Sequence, residues 1–357
     1  MSDREKAGLR GPVRTCLEEI TYPTGKYLST TEYSTDGRVL TIRTTQPDGS
    51  EWVTTNIYDT NGHLVKTVSG KPGEPGTEMR YDYDETGRLL TTTNITEPGN
   101  RTNFHYDEQG RKTVVQNFDA RTLQRAQSSM YSGSPWDAAV GAGIGVPVGG
   151  KVTTIYDDNN QPTEAQIRDA EEHIVSRFVR TYDANGRMVE EKPIWENPIL
   201  LMLDKFPDEE RAQLSPEQIK QMNNEMGALL GGKAKAGTSY TYDAQNRITK
   251  MRERNMVFEK TTTILYNAQG DKAEERTTFT GNSVMPVGVP YSIDKDGTRV
   301  PSEPVAEVPA SAGVPEDSEI HYTYQYDSYG NWTEQTVNHG SGPDEPINVH
   351  HRKLSYY

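Results

Sequence analysis

The sequence predicts an all-β protein: tandem β-hairpins forming a long coiled or spiral antiparallel sheet, a partial shell, with a small helical insertion. Three observations predict it. A Tyr-Asp-x-x-Gly word recurs at intervals near 25 residues, the residues before each tyrosine alternate in polarity, and only 32% of the 357 residues are hydrophobic. Globular domains usually reach about 45–50% apolar residues. A repeat architecture tolerates a thin core because each unit packs mainly on its neighbours.

Nine copies of the word are present, with Ser or Asn in place of Asp in the copies from Tyr33 and Tyr266 and Asn in place of Gly in those from Tyr156 and Tyr242. A decayed tenth copy begins at Tyr131, midway between the copies from Tyr106 and Tyr156. The predicted structural positions of the repeat are Tyr33, Gly37, Tyr58, Asp59, Gly62, Tyr83, Asp84, Gly87, Arg88, Tyr106, Asp107, Gly110, Tyr156, Asp157, Tyr182, Asp183, Gly186, Arg187, Tyr242, Asp243, Tyr266, Gly270, Tyr326, Asp327 and Gly330. Two longer intervals, before Tyr242 and before Tyr326, each hold one period and an insertion.

One unit reads as a β-hairpin. Met79, Tyr81 and Tyr83 alternate with polar residues, which is typical of a half-buried strand. Asp84 then begins a four-residue turn, and its carboxylate is expected to accept backbone N–H groups two and three residues on. Gly87 stands where the chain needs a positive φ, which costs glycine little. Ten such units give about twenty strands, which the natural twist of a sheet would coil into a spiral or open shell.

Two further features of the repeat support this prediction. Asn160 and Asn246 replace the glycine in two copies, and asparagine is the next most tolerant residue at positive φ. Arg88, directly after the glycine, is expected to stack on the next tyrosine ring or to pair with a turn aspartate. The tyrosines are expected to form ladders in which the ring is buried and the hydroxyl finds a partner.

The Tyr-Asp-x-x-Gly-Arg-Leu words at this spacing resemble the YD-repeat, or RHS-repeat, family, and the resemblance covers Tyr33 to Thr333. It implies a bacterial surface or secreted protein whose hairpins wind into a shell, which in some members encloses a toxin. The chain lacks the Asp-Pro-x-Gly cleavage site of toxin-bearing members. The resemblance therefore implies a small member without the toxin-bearing C-terminal region.

The chain is interpreted as a single YD-repeat domain, 1–357, with a helical insertion at 193–233. Asn197 as N-cap before Pro198 predicts a short helix. A second helix is predicted from Ser215, which forms a capping box with Gln218, to the glycines at 231 and 232. Its functional interpretation is a partner-binding lid, and its structural one is a plug against a sheet face.

A second insertion, 280–317, carries six prolines and is expected to be an extended surface loop. Asp294 and Asp296 before Gly297 resemble part of a calcium loop, but the downstream glutamate is missing, so a β-turn is favoured. The glycine-rich stretch Gly141–Gly150 lacks the Lys-Ser/Thr of a phosphate loop and is expected to be a flexible connector.

The sequence offers no catalytic, metal or cofactor motif, so the chain is predicted not to be an enzyme and to bind no cofactor. The net charge of −14 disfavours nucleic acid as a partner. Cys16 is interpreted as a small apolar strand residue. No apolar run reaches the roughly 20 residues of a transmembrane helix, and no signal peptide is seen. The resemblance favours an extracellular or cell-envelope location, with a cytoplasmic one left open.

The leading hypothesis is a non-enzymatic structural and interaction scaffold that binds a protein partner or itself through its sheet edges and insertions. One alternative is a carbohydrate-binding module using surface aromatics, with Tyr131 and Trp136 as the possible ligand contacts because Trp136 is expected to be exposed. The others are a polysaccharide-acting enzyme with two carboxylates in one cleft and a component of a toxin-encapsulating shell.

Overall fold

The fold comes from a computed structural model that describes residues 1–22, 25–119, 122–123, 135–142, 145–200, 213–231, 236–254, 258–281, 291–293, 299–301, 316–340 and 346–357. Its principal helices are α1 (Asp3–Lys6), α2 (Pro135–Ala142) and α3 (Pro216–Gly231). The strands are β1 (Val13–Tyr22), β2 (Gly25–Tyr33), β3 (Val39–Thr45), β4 (Glu51–Tyr58), β5 (Leu64–Gly70), β6 (Thr77–Tyr83), β7 (Leu89–Asn94), β8 (Arg101–Tyr106), β9 (Lys112–Asn117), β10 (Lys151–Tyr156), β11 (Pro162–Arg168), β12 (Ile174–Tyr182), β13 (Met188–Trp195), β14 (Gly237–Tyr242), β15 (Ile248–Arg254), β16 (Glu259–Tyr266), β17 (Lys272–Thr280), β18 (Tyr291–Ile293), β19 (Arg299–Pro301), β20 (Ser318–Tyr326), β21 (Trp332–His339) and β22 (Asn348–Tyr356).

Twenty of these strands form one closed ring. Each pairs antiparallel with the next along the chain, β17 pairs with β20, and only the small β18–β19 hairpin stands apart. The ring closes where β22 pairs with β1, from Val13 opposite Tyr356 to Thr21 opposite Val349. The all-β prediction holds, but the predicted open spiral or partial shell is wrong: the fold is a closed 20-stranded antiparallel barrel. The physical reason is that the terminal strands satisfy each other's edge hydrogen bonds, which an open sheet leaves unpaired.

The barrel is wide. Twenty strands spaced about 4.8 Å apart give a perimeter of roughly 96 Å perpendicular to the strands. Strand side chains fill a barrel of about eight strands, whereas barrels of about 16–18 strands leave an aqueous channel. The interior of this barrel is therefore too wide to be filled by strand side chains alone.

The two ends of the barrel differ. The turns of all nine copies of the word lie at one end, the YD end, because each joins an even-numbered strand to the next strand of the ring. The chain termini meet at the same end, where Tyr356 pairs with Val13. The three longest connections, 118–150, 196–236 and 281–317, leave from the opposite end, the insertion end.

The two faces of the sheet also differ. The tyrosine face carries the YD tyrosines and residues in alternation with them, such as Val152, Ala165 and Phe178. The buried strand residues lie on this face, apart from Val175, the extra residue of a bulge between β11 and β12. Because side chains converge on the concave side of a closed barrel, the buried tyrosine face is its inner wall.

The opposite, charged face bears cross-strand ion pairs. Lys66 Nζ lies 2.6 Å from a carboxylate oxygen of Glu78 on the neighbouring strand. Arg276 and Glu319 are 2.9 Å apart in the same manner. Exposed pairs of this kind contribute little stability individually, and they leave the outer wall strongly hydrophilic.

The turn after Tyr83 shows how the repeated word folds. Gly87 donates its N–H to the Asp84 carbonyl at 3.0 Å and has φ +81°, the left-handed conformation that the turn requires. Asp84 Oδ1 accepts the N–H groups of Thr86 and Arg88, both at 2.9 Å. The second donor is thus four residues on, not three as expected. A bulge at Tyr83 places one extra residue on the return strand β7, opposite the end of β6, and so lengthens the loop by one residue.

Within the described part of the chain, two hydrophobic clusters lie on the inner wall. The larger one packs the 118–150 connection against β10 to β12 and contains Leu123, Trp136, Ala139, Val146, Val152, Ala165, Ile167, Val175 and Phe178. The smaller one lies where the first and last strands meet and contains Leu9, Val13, Cys16 and Tyr33. The core is therefore segmented, as the low apolar fraction indicates.

The insertions are only partly described. The capping box at α3 is present: Ser215 N–H donates to Gln218 Oε1 at 2.8 Å, and Gln218 N–H donates to Ser215 Oγ at 3.2 Å. The stretch Gly141–Gly150 is not simply a connector, because α2 runs to Ala142 and Val146 is buried. Most of 280–317, including the Asp294–Gly297 turn, lies outside the described residues, and the β18–β19 hairpin is described within it.

Candidate functional site

Side chains of the repeated word form a lattice that links each turn to the next. The Tyr58 hydroxyl donates to the Val39 carbonyl at 2.9 Å, and the Tyr83 hydroxyl donates to the Leu64 carbonyl at 3.0 Å. The acceptor is each time the first return-strand residue of the preceding unit. The same bond joins Tyr106 to Leu89, Tyr182 to Pro162, Tyr242 to Met188 and Tyr266 to Ile248.

The arginine after the glycine makes both contacts expected of it. Arg88 Nε donates to Asp84 Oδ2 at 2.7 Å, and the guanidinium carbon lies 4.9 Å from the centre of the Tyr106 ring. Arg187 and Arg247 do the same with their own aspartates and the next tyrosine rings. Each of these three turns thus combines a charge-assisted hydrogen bond with a cation–π contact.

Ionisation of the lattice follows these contacts. Hydrogen bonds from the Thr86 side chain and the Arg88 backbone hold the pKa of Asp84 well below its usual range. Burial raises the pKa of the Tyr83 hydroxyl. Carboxylate and phenol are thereby kept in the states that make the lattice bonds, since a carboxylate accepts and a neutral hydroxyl donates. The arrangement indicates a structural role for the repeated word.

The inner wall under the 118–150 connection is the candidate functional site. Helix α2 packs against β10, β11 and β13 on the tyrosine face. Trp136, at its start, is only 3% exposed, so the expectation that this side chain is exposed is wrong. Its side chain belongs to the larger hydrophobic cluster and lies against the Arg180 guanidinium rather than facing solvent. Tyr131, the other predicted ligand contact, lies outside the described residues.

A buried ion pair anchors Trp136. Arg180 Nε donates to Glu191 Oε2 at 2.8 Å, and the Trp136 backbone N–H donates to Glu191 Oε1 at 3.3 Å. The Arg180 guanidinium carbon lies 4.0 Å from the centre of the Trp136 ring, and Asp137 is 3.4 Å from the same guanidinium. Glu191 is 1% exposed, so its charge depends on these donors.

Burial and the nearby Glu191 charge also raise the pKa of Tyr240, on the neighbouring strand β14, to about 12. The tyrosine is therefore a neutral hydroxyl near neutral pH. The site as a whole combines one compensated ion pair, one cation–π contact and an apolar cluster. These contacts hold the connection on the wall.

Sequence reasoning did not single out Arg180 or Glu191. One signal was available for Arg180: it precedes Tyr182 by two residues, so strand alternation places it on the tyrosine face. Strand pairing then sets Glu191 opposite Arg180. Charged side chains are rarely buried unless they are paired. An inward-facing arginine opposite an inward-facing glutamate therefore marks a site where the two charges compensate each other.

Two groups of side chains have the spacing of metal ligands among the described residues: Asp169 with Glu171 and His173, and Glu274 with Glu319 and His321. Both belong to protein contacts. Asp169 Oδ1 accepts the His173 N–H at 2.8 Å within a turn. Arg276 lies within ion-pair distance of both Glu274 and Glu319. The carboxylates of Asp169, Glu274 and Glu319 are thus engaged by internal donors.

Comparison with known proteins gives no family. No family model matches the chain, and no curated protein matches it. Among solved structures, the Tc holotoxin pore of Photorhabdus luminescens is 13% identical over 91% of this chain and 15% of that chain, with a TM-score of 0.23. Porin-like proteins of Bacteroides uniformis and Bacteroides vulgatus are each 10% identical over 97% of this chain, and 99% and 98% of those chains, with TM-scores of 0.32 and 0.20. At these scores the likenesses support no argument about this protein.

Among the described residues, no helix is both long and apolar enough to cross a membrane.

Proposed function

We propose that the chain is a non-enzymatic structural and interaction scaffold of the YD-repeat type, belonging to a bacterial surface or secreted protein. The observation that carries the proposal is the division of labour between the barrel ends. At the YD end, polar and aromatic side chains of the repeated word bond to one another and to neighbouring units in the lattice. The long connections all leave from the insertion end. Loops held by a rigid scaffold are where binding usually resides.

Free sheet edges are not part of this proposal. In the described barrel both edges of every strand are paired, including those of β1 and β22. The strand addition that the sequence suggested therefore has no free edge in the closed state. Association is assigned to the insertion end instead.

Exposed apolar side chains at the insertion end support a docking role. Tyr22 and Trp52 lie on the strand ends there and are 42% and 46% exposed, and Val148 in the 118–150 connection is 58% exposed. Aromatic anchors of this kind are enriched in protein interfaces. Helix α3 is held at the same end beside β13, where Asn223 Nδ2 donates to the Glu196 carbonyl at 3.2 Å.

A carbohydrate-binding role has one observation in its favour. Trp52 is substantially exposed on the tyrosine face, beside Thr44 and Thr54 on the same face. A ring flanked by hydroxyls is a suitable platform for a sugar ring. Trp52→Ala should abolish any signal on a glycan array if this role is real, and a blank array with the unaltered protein would remove it.

Self-association is the direct test of the scaffold proposal, because the probe is the purified chain. Sedimentation velocity over a concentration series should show association that weakens when residues 213–231 are replaced by a Gly/Ser linker. The matched control is Glu85→Ala with Glu108→Ala, two exposed turn residues of the YD end, which should leave association unchanged. A strict monomer that also captures no envelope protein would contradict the interaction role, and loss of association in the control alone would contradict the assignment to the insertion end.

A further inference from the structure

The interface between β1 and β22 differs from the other strand interfaces of the barrel. Every other neighbouring pair is joined by a stretch of chain, whereas β1 and β22 are the first and last strands. We call this interface the seam. It is the one strand interface of the ring where the two strands can separate without a connecting loop that still tethers them. Its register runs continuously from Thr15 opposite Ser355 to Thr21 opposite Val349.

The seam has its own hydrophobic cluster. Leu9, Val13, Cys16 and Tyr33 are buried there, and Leu354 of β22 packs against them. Such a cluster is absent from the other described strand interfaces outside the 118–150 region. One of the two clusters among the described residues thus lies where β1 and β22 meet with no chain joining them.

A short segment crosses the YD end of the barrel above the seam. We call residues 2–12 the clasp. On one side it is tied to the first YD turn: Arg4 N–H donates to the Gly37 carbonyl at 3.0 Å, and the Val39 N–H donates to Asp3 Oδ2 at 3.2 Å. These bonds fix the start of the clasp to the β2–β3 hairpin.

On the other side the clasp is tied to the last two YD turns. Arg10 N–H donates to Asn331 Oδ1 at 2.6 Å, and Asn331 Nδ2 donates to the Arg10 carbonyl at 2.9 Å. The Arg10 guanidinium donates to the carbonyls of Gly330 and Gln269, each at 3.2 Å. The clasp therefore joins β20–β21 and β16–β17 to β2–β3 across the seam.

Asn331 departs from the repeat for a physical reason. The equivalent residues Arg88 and Arg187 reach their own aspartate and the next tyrosine ring. After the last turn comes the seam, with Tyr356 in place of a further turn tyrosine. Asn331 Nδ2 lies 3.0 Å from the Tyr356 hydroxyl. The same amide group also bonds to the clasp backbone at Arg10. An amide can satisfy a backbone N–H and C=O together, which arginine cannot.

We propose that the seam is a gate that the clasp holds shut, so that the barrel opens between β1 and β22 while its other strand pairs remain formed. Opening frees two strand edges and gives access to the inner wall. The clasp contacts are rim hydrogen bonds of the kind that open before a packed sheet does. Free edges of this kind accept a strand from another chain.

Cys16 reports the opening directly. It is the single cysteine of the chain, lies in the seam cluster and is 4% exposed. Burial, followed by the nearby Glu18 charge, raises its pKa to about 11, so the closed state protects the thiol from an aromatic disulfide reagent. Under native conditions the labelling rate measures how often the seam opens.

Asn331→Ala and Arg10→Ala should each raise the labelling rate of Cys16 by roughly tenfold, because each removes clasp hydrogen bonds. Arg10→Ala removes the guanidinium bonds to the Gly330 and Gln269 carbonyls, and Asn331→Ala also removes the bond to Tyr356 of β22. The matched control is Arg88→Ala, which removes the equivalent contacts at a turn remote from the seam and should change the rate by less than about twofold. Arg10 is exposed, so its variant keeps the test informative if Asn331→Ala fails to fold.

Urea separates the gate from whole-chain unfolding. The rate of labelling should rise with urea less steeply than the global unfolding equilibrium does, because opening the seam exposes less surface. Hydrogen exchange in Asn331→Ala should speed up in β1 and β22 and stay unchanged in β6 and β7. Equal labelling in the clasp variants and the control, or a urea slope equal to that of global unfolding, would overturn the gate.

Discussion

The anchoring of the 118–150 connection can be tested by removing one member of its ion pair. Arg180→Met keeps the side-chain volume but removes the guanidinium that donates to the Glu191 carboxylate. This carboxylate is 1% exposed, and of the donors described above it keeps the Trp136 N–H at 3.3 Å. Breaking a buried pair from one side costs about 3–5 kcal/mol because a buried charge loses its compensation. Loss of the cation–π contact with Trp136 adds to this cost. We expect the free energy of unfolding to fall by about that amount.

The assay is urea unfolding followed by tryptophan fluorescence, completed as a double-mutant cycle. Glu191→Gln in the Arg180→Met background should recover most of the loss, since no uncompensated charge remains. Arg276→Met, which breaks an ion pair on the exposed charged face, serves as the control and should cost less than about 1 kcal/mol. A loss below about 1 kcal/mol for Arg180→Met would refute the reasoning, because the pair would then behave like a surface pair.

Three further predictions concern the repeated word. Gly110→Ala should lower the free energy of unfolding by about 1–2 kcal/mol because Gly110 has φ +81° and no neighbouring atom crowds a new Cβ; Gly110→Asn should cost less, since Asn160 holds the same conformation at φ 58°. Tyr83→Phe should cost about 0.5–1.5 kcal/mol through loss of the bond to the Leu64 carbonyl, measured by the same unfolding assay. Folding lowers the pKa of Asp84. The stability that this carboxylate contributes is therefore present above its unfolded pKa near 3.9 and is lost as the pH falls through the folded pKa. Asp84→Asn should accordingly flatten the acid limb of a Tm-against-pH profile.

Each of these predictions has an outcome that contradicts it. Equal losses for Gly110→Ala and Gly110→Asn would mean that the left-handed conformation is not what the turn requires. An unchanged midpoint in Tyr83→Phe would remove the energetic basis of the lattice. An acid limb with the same slope in Asp84→Asn and the unaltered protein would show that other carboxylates control acid unfolding.

The hairpins were predictable because their signals are local. Tyr83, Asp84 and Gly87 lie within five residues, and period-2 alternation precedes them, so the place of the turn, its left-handed φ and the strand face follow from short stretches of sequence. The count of about twenty strands follows from the number of repeats. The capping box of Ser215 and Gln218 is equally local and was predicted for the same reason.

Closure was not predictable from the same signals. It depends on pairing between Val13 and Tyr356, more than three hundred residues apart, and the terminal segments carry no YD word that would announce it. Twist per strand, which decides between a spiral and a ring, is set by the whole sheet. The burial of Trp136 was missed for a related reason. Its partners Arg180 and Glu191 lie on strands far along the chain, and the glycine-rich sequence around Trp136 carries no signal of that contact.

The central claim is that β1 and β22 close the ring, and one disulfide experiment tests it most directly. Thr15 and Ser355 face each other across the seam with their hydroxyls hydrogen-bonded, so cysteines there meet the distance needed for a disulfide. Thr15→Cys with Ser355→Cys, in a Cys16→Ser background, should form an intrachain disulfide in the monomer under mild oxidation. Thr15→Cys with His351→Cys, four residues out of register on the same face, should not. A closed ring predicts near-complete cross-linking of the first pair alone, and free thiols in both pairs would contradict it.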